Sequence, residues 1–377
     1  MAKRTAGKII KTKSAYKDAG VSYGMLDPVK IAAQKAAKLT GRHLKQKGGY
    51  EIAETRGESA YVWKQGSQYF ASVIEGLGTK NLVADAMRKH GKKTYYDTVA
   101  HDTVATIIND LITVGARPLV LHAYWAVGDS AWFADKKRSS DLVTGWKQAC
   151  DIAGVVWGGG ETPAYAGIID KSTIDLAGSA VGMIPSRKHL ITERNIRNGD
   201  RILLVKSNGI NANGLTLARK VAAMTGRGFA ETLPSGKTFG EALLAKSNIY
   251  ARLIAALQDA NVNLHYIVNI TGHGLRKLMR PKRNFTYIAE KLFKPQEEFL
   301  FIQKTAGLSD YEMYETFNMG QDFALYVPER DSKKALKIIT SNDFVAMDAG
   351  VVRKGKKEVI LKSLGITYSE TSLRIRS

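Results

Sequence analysis

Ser72-Val73-Ile74-Glu75-Gly76-Leu77-Gly78-Thr79-Lys80 is the stretch on which the reading of this chain turns. Ahead of it, Tyr61-Val62-Trp63 and Tyr69 to Ile74 flank Gln65-Gly66-Ser67. That is the pattern of a hairpin whose second strand runs into a turn with two glycines, a hydroxyl and a lysine. Gly76 and Gly78 let backbone N–H groups approach an anion, with Thr79 beside them and Lys80 adding a mobile positive charge. Glu75 is placed to hold a metal that neutralises such an anion. An ordinary strand-to-helix turn reads the same way, so the rest of the chain has to decide.

On the N-terminal side, residues 1–17 are basic and weakly patterned, and Asp27-Pro28 opens a helix over about 28–40, with Asp27 as cap and Pro28 first. Beyond the turn, Asp97 to Gly115 is the strongest helix. Ala100, Val104, Ile108, Leu111 and Val114 line one side, while Asp102, Thr106, Asn109 and Asp110 lie largely on another. Carboxylates on such a helix are paired, hydrated or metal-bound, or else face solvent. Leu119 to Val127 is a strand, Asp141 to Ile152 a helix with Cys150 as a core thiol, and Val155-Val156-Trp157 a short strand entering the loop Gly158-Gly159-Gly160-Glu161-Thr162. Three glycines before an acid mark a backbone passing close to a ligand. Ile174 to Ile184 is another strand, and the polar run from Pro185 to Asp200 separates two domains. The expected organisation is a basic arm over 1–27, a first domain over 28–187 and a second over 188–377.

In the second half, strand Arg201 to Lys206 meets the loop Ser207 to Gly214, and a helix starts at Asn213 or Gly214, where anions are stabilised. Ala242 to Leu257 reads as a helix, and His265 to Ile270 as a strand meeting Thr271-Gly272-His273-Gly274. Alternating segments at Phe285–Ile288 and Phe299–Ile302 follow, then a helix near Ser309–Phe317, strand Phe323–Val327, helix Asp331–Thr340 and a hairpin around Lys354-Gly355-Lys356. The order is mixed α+β, without an early strand–GxGxxG–helix unit. Ser235-Gly236-Lys237-Thr238 imitates the end of a Walker A loop, but Glu231 stands where that loop needs glycine.

Length and composition bound the function. The 377 residues are 44% hydrophobic, enough for two domains with a large core. A single cysteine leaves no disulfide framework, and no apolar run reaches membrane-spanning length, so the expected location is the cytoplasm. The formal charge is +21, and Met1 to Lys47 holds twelve Lys/Arg against Asp18 and Asp27. No zinc-finger spacing or recognition helix accompanies it, so nucleic acid is not expected as the main partner; the charge fits attraction of phosphorylated metabolites.

Four separated loops point the same way, and with them the chain resembles the aminoimidazole ribonucleotide synthetase family, the phosphoribosylformylglycinamidine cyclo-ligases of purine synthesis. The resemblance rests on Tyr16–Val21, Gly76–Lys80, Asn109-Asp110-Leu111 with Gly115-Ala116 and Pro118, Gly159-Gly160-Glu161-Thr162, and Asp175 with Ala177-Gly178 and Val181-Gly182. It continues through Asn213-Gly214, Ile249-Tyr250, Ile270-Thr271-Gly272 and Phe317-Asn318-Met319-Gly320, in family order over roughly 16–322. It implies an N-terminal α/β domain with a mixed sheet, a C-terminal α+β domain, and a homodimer whose N-terminal sheets join with the ATP site nearby. The implied reaction is ATP-dependent cyclisation of formylglycinamidine ribonucleotide, a small phosphorylated ribonucleotide, with Mg²⁺. Lys80, Asp110 and Glu161 are then the catalytic candidates. Gly76, Gly78, Thr79, Lys80, Asn109, Gly159, Gly160 and Thr162 are expected to hold the nucleotide. Asn211, Asn213, Gly214, Thr271, Gly272 and His273 are expected at the substrate, and Glu75, Asp97, Asp102, Asp110 and Glu161 at the metal.

The chain departs from the family pattern at several of these places. Glu75 replaces an aspartate, Ser22 interrupts an acidic motif, and Pro163-Ala164 replaces an alanine–glutamate pair. Asn211 and Asn269 each replace a histidine, and Asp322 replaces a glycine. Among relatives of this fold, selenophosphate synthetase and the hydrogenase maturation factor need cysteines that are absent here, and the amidotransferase is normally longer or carries a glutaminase. A kinase of a small phosphorylated acceptor, and a non-catalytic nucleotide-binding or nucleic-acid-associated relative, stay open as alternatives.

Overall fold

The computed structural model describes residues 23–373, so the basic arm up to Ser22 and the Tyr16–Val21 motif lie outside the described residues. The described chain opens with α1 (Tyr23–Thr40) and α2 (Arg42–Gln46). Because α1 begins ahead of Asp27, that residue lies within the helix and does not cap it, and Pro28 removes one intrahelical bond in the second turn. Strands β1 (Gly49–Glu51), β2 (Tyr61–Gln65) and β3 (Gln68–Gly76) form a meander, with Gly66 at φ 57° taking the left-handed place between β2 and β3.

The glycine turn leads into α3 (Lys80–Met87) and α4 (Tyr96–Leu111). Then come β4 (Arg117–Val127), α5 (Lys136–Ala153), β5 (Val156–Glu161) and β6 (Ile174–Ile184). The first sheet has the order β1-β2-β3-β6-β4-β5, with β4 and β5 parallel and the other pairs antiparallel. Helix α4 lies across β3 and β6 and buries Val99, Val104, Ile107, Ile108 and Leu111 completely. Helix α5 starts at Lys136 and not at Asp141, because the Asp135 carboxylate caps it by accepting from the Arg138 N–H at 3.0 Å. Gly145 lets α5 sit directly on α4: a Cβ there would lie 2.8 Å from the Asp97 carbonyl carbon. Gly158 to Gly160 are not a loop. They belong to edge strand β5, where a Cβ on Gly160 would run into the backbone of Ala123.

The second domain contains β7 (Arg201–Lys206), α6 (Leu215–Ala223), α7 (Phe239–Leu243), α8 (Ala251–Asp259), β8 (Tyr266–Asn269) and β9 (Phe285–Ala289). It continues with α9 (Glu297–Ala306), α10 (Asp310–Thr316), β10 (Gln321–Val327), α11 (Glu329–Ser341), β11 (Ala346–Lys354), β12 (Glu358–Leu361) and β13 (Ile366–Ser369). Its sheet has the order β13-β12-β9-β11-β7-β10-β8.

Three expectations fail here. The single helix over 242–257 is two helices separated by an extended loop at 245–250. Phe299 and Ile302 are fully buried on one face of α9, whose first turn carries Glu297 and Glu298, so their spacing is helical. The final hairpin is a crossing: β11 and β12 both pair with β9, antiparallel and parallel, and do not pair with each other. The Walker-like run is a capping box, in which Thr238 and Glu241 satisfy each other's backbone N–H groups at the start of α7.

Strand directions gather the loops. β3, β4 and β5 run the same way, so their C-terminal ends lie at one end of the first sheet. β7 and β8 also run the same way with β10 antiparallel between them, which brings loops 207–214, 270–274 and 317–322 to one end of the second.

Candidate active site

The polar stripe of α4 faces the second domain. Asp102 is fully buried; its Oδ2 is paired with the Lys80 ammonium, and its Oδ1 accepts the Ser247 N–H at 2.8 Å. Lys80, equally buried, also donates to the Ala245 carbonyl at 2.9 Å. His101 Nε2 meets the Ser247 carbonyl at 2.8 Å. Asn109 donates to the Asn248 carbonyl at 2.8 Å and accepts the Tyr250 N–H at 3.0 Å. This set of bonds holds loop 245–250 out of helix. Lys80 and Asp102 are thus paired with each other, and Lys80, Asp102 and Asn109 are each bonded to that loop.

About two turns beyond Asp102 on α4, Asp110 accepts from Asn269 Nδ2 at 2.7 Å. Glu75, at the end of β3, lies beside Asp110, and burial followed by the Asp110 charge pushes its carboxyl up to about 7. Lys277, buried beneath this pair, donates to the Asn269 carbonyl at 3.0 Å and to Thr271 Oγ1. Burial, then Arg280, brings its ammonium down to about 8, while Asp110, Glu75 and Glu58 hold it up. Arg280 is fixed by Glu58 at 3.0 Å. Two carboxylates, Glu75 and Asp110, thus lie beside two cations, Lys277 and Arg280, where the two domains meet. Sequence reading named Glu75 and Asp110 but missed Lys277 and Arg280, whose only signal was two cations after the 271–274 loop.

The expected five-carboxylate metal set does not assemble, and no cluster of three or more metal-ligating side chains occurs among the described residues. Asp97 is half-exposed at the other end of α4, paired with Lys246 at 2.9 Å. At about 1.5 Å per residue, it stands about 20 Å from Asp110. Glu161 is separated differently. Register aligns Glu75, Gly178, Ala123 and Gly160 in one row, and Gly76, Ala177, Tyr124 and Glu161 in the next. Side chains in neighbouring rows point to opposite faces, so Glu75 faces α4 while Glu161 faces away from it, three strands off. Gly159 (φ 119°), Gly160 and Thr162 are exposed at the same edge.

Across the cleft, Gly78 (φ 74°) faces the Ala212 carbonyl, which a Cβ would meet at 3.8 Å, so the glycine turn and loop 207–214 do come together. Gly76 is exposed and Thr79 half-buried at the start of α3. Gly214 (φ 82°) packs under the Phe317 ring, where a Cβ would be 2.6 Å from its Cδ1. Asn213 makes no side-chain hydrogen bond among the described residues. Asn211 instead donates to Asp322 Oδ1 at 2.6 Å, and Tyr250 donates to Oδ2 at 2.7 Å. Two departures from the family pattern thus answer each other. Burial pushes the Asp322 carboxyl up to about 6. Gly272 is buried and His273 half-buried; burial, then Lys277, Arg276 and Lys30, hold the His273 imidazole well below its usual range, hence neutral.

Residues 57–184 match the family described as AIR synthase related protein, N-terminal domain, and 197–362 match its C-terminal domain. The phosphoribosylformylglycinamidine cyclo-ligase of Carboxydothermus hydrogenoformans is 32% identical over 360 residues, 92% of this chain and 98% of that protein. That of Methanocaldococcus jannaschii is 31% identical over 339 residues, 89% and 91% of the two chains. Solved structures share the fold at lower identity. A HypE–HypF complex matches with TM-score 0.57 at 18% identity, covering 82% of this chain and 92% of that one. AaThiL complexed with AMPPCP and TMP matches with TM-score 0.55 at 14% identity, covering 82% and 89%. With both halves matched and relatives aligned along nearly the whole length, this chain belongs to the AIR synthase related protein family.

Proposed function

We propose that this protein is an ATP-dependent cyclo-ligase that converts formylglycinamidine ribonucleotide to aminoimidazole ribonucleotide. The observation that carries this reading is identity above 30% to cyclo-ligases along about nine-tenths of the chain, through both domains. The formyl oxygen of the substrate accepts the γ-phosphoryl of ATP; a substrate nitrogen then attacks that carbon, phosphate leaves, and the ring closes with ADP released.

Backbone N–H groups of Gly76 to Thr79, at the start of α3, approach the phosphates. Glu75 and Asp110 would hold a Mg²⁺ whose remaining ligands come from phosphate and water, since burial and the Asp110 charge raise the Glu75 carboxyl and a cation would offset that repulsion. When bound, Mg²⁺ neutralises charge on the transferring phosphoryl. Lys277 supplies positive charge beneath the pair, while Lys80 steadies the turn through Asp102. Asn213, Thr271 and Gly272 line the substrate side of the cleft.

The face of the first sheet turned away from α4 exposes Ile74 (77%) and Val156 (63%), beside Val181 and Met183. Uncovered, it is an apolar sheet surface, and a homodimer formed through it would enclose Glu161. The reading is tested with pure protein, ATP, Mg²⁺ and formylglycinamidine ribonucleotide, following products by mass spectrometry. ADP matched by aminoimidazole ribonucleotide supports it; ADP matched by a phosphorylated acceptor, or no turnover, refutes it.

A further inference from the structure

Away from the cleft, the C-terminal half of α3 borders a cavity of about 730 Å³, within the usual range for small-ligand sites. Its wall carries Arg88, Lys89, Arg138 and Arg219 against Asp85, with a second carboxylate, Asp135, paired to Arg88 behind it. The cations come from α3 and the residues just after it, from α5 and from α6, so the fold converges them from three elements. Arg88 is about 12 Å along the chain axis from Lys80, which separates this cavity from the glycine turn at the other end of α3.

Two features mark it as more than a solvated patch. The Arg138 guanidinium carbon sits 3.8 Å from the centre of the Trp132 ring, its Nη2 donates to the Trp132 carbonyl, and its buried Nε has no hydrogen-bond partner. Arg88 is held by Asp135 and lies 3.9 Å from Asp85; burial lowers the Arg138 guanidinium, and the Arg88 charge adds to this while Tyr96, Asp85 and Asp135 oppose it. Lys89 and Arg219 form no ion pair among the described residues. Like charges crowded at a partly buried wall are relieved by an anion, and guanidinium groups match phosphate through paired N–H donors. Leu82, Ala86 and Phe229 give the same cavity an apolar side.

We propose that this cavity is a second anion site, taking a small phosphorylated ligand. Its phosphate lies between Arg88, Arg138 and Arg219, with Lys89 at the rim, and the remainder of the ligand rests on Leu82, Ala86 and Phe229. The site is independent of the ring-closing reaction and is occupied without substrate.

The test is titration calorimetry of the full chain with inorganic pyrophosphate, without ATP, comparing the native protein with the double variant Lys89→Gln/Arg219→Gln. That variant keeps the Arg138–Trp132 contact and both Arg88 contacts, and its melting temperature reports folding. The expected result is salt-sensitive pyrophosphate binding that weakens at least tenfold in the variant, with binding of Mg²⁺–ATP unchanged. ADP added in competition separates the sources: displacement of pyrophosphate from the variant-sensitive site supports use of the apolar wall, and failure to displace it overturns that part. No pyrophosphate binding at millimolar concentration, or equal binding by a folded variant, overturns the site. Neither result depends on whether the protein cyclises its substrate.

Discussion

Replacing Asp102 tests whether the stripe on α4 is structural. Asp102→Asn keeps an acceptor for the Ser247 N–H but leaves the Lys80 ammonium, fully buried, facing a neutral amide. Removing one partner of a buried pair costs about 3–5 kcal/mol. Asp102→Leu also abandons the Ser247 N–H, a further loss of about 1–3 kcal/mol. Against a total stability of about 5–15 kcal/mol, either is a large fraction. The double variant Lys80→Met/Asp102→Leu removes both charges, and its loss should fall well below the sum of the single losses, because no ion is left unpaired. All five tryptophans, at 63, 125, 132, 146 and 157, lie in the first domain, so urea unfolding followed by their fluorescence reads that domain directly. Hydrogen exchange at the Ser247 amide reads the clasp from the other side, and exchange there should quicken in Asp102→Leu. A loss below about 1 kcal/mol in Asp102→Asn, or additive losses in the double variant, would refute the reasoning.

Asp110→Asn should leave the fold intact and weaken apparent Mg²⁺ affinity in ATP turnover at least about tenfold, measured by metal titration of initial rates. Ile74→Glu, on the uncovered sheet face, should turn a dimer into a monomer by light scattering at micromolar concentration. Glu298 is 3% exposed, and burial pushes its carboxyl from 4.5 up to about 7. Its favourable contribution is therefore complete below pH 4.5 and lost as pH rises through 7, when ionising it in place costs roughly 3 kcal/mol. Glu298→Gln should accordingly stabilise the protein at pH 8 and change little at pH 4; equal shifts in urea midpoint at both would contradict this.

The β3–turn–α3 unit and α4 were legible because their signals are local: alternation ending in glycines, and a long apolar stripe closed by Gly115. The break at 245–250 was not legible, since α4 side chains more than a hundred residues away hold it open. Phe299 to Ile302 is too short for its period to separate strand from helix. At the site, placing carboxylates on one stripe ignored distance along the helix, which already separated Asp97 from Asp110. The opposed directions of Glu75 and Glu161 follow from three successive strand registers, which no single motif encodes. Asn211 and Asp322 each looked like a loss when read alone, and only their contact shows one substitution answering the other.

The grip of α4 on loop 245–250 also bears on what the connecting segment is for. Lys80, His101, Asp102, Asn109 and Asp110 all find partners in the second half of the chain. Gln258 adds a bond back to the Gly115 carbonyl at 2.9 Å. Residues 185–200 therefore tether two halves that already recognise each other. Nicked there, the protein would persist as a complex of two fragments, and the halves encoded separately would assemble as a two-chain enzyme.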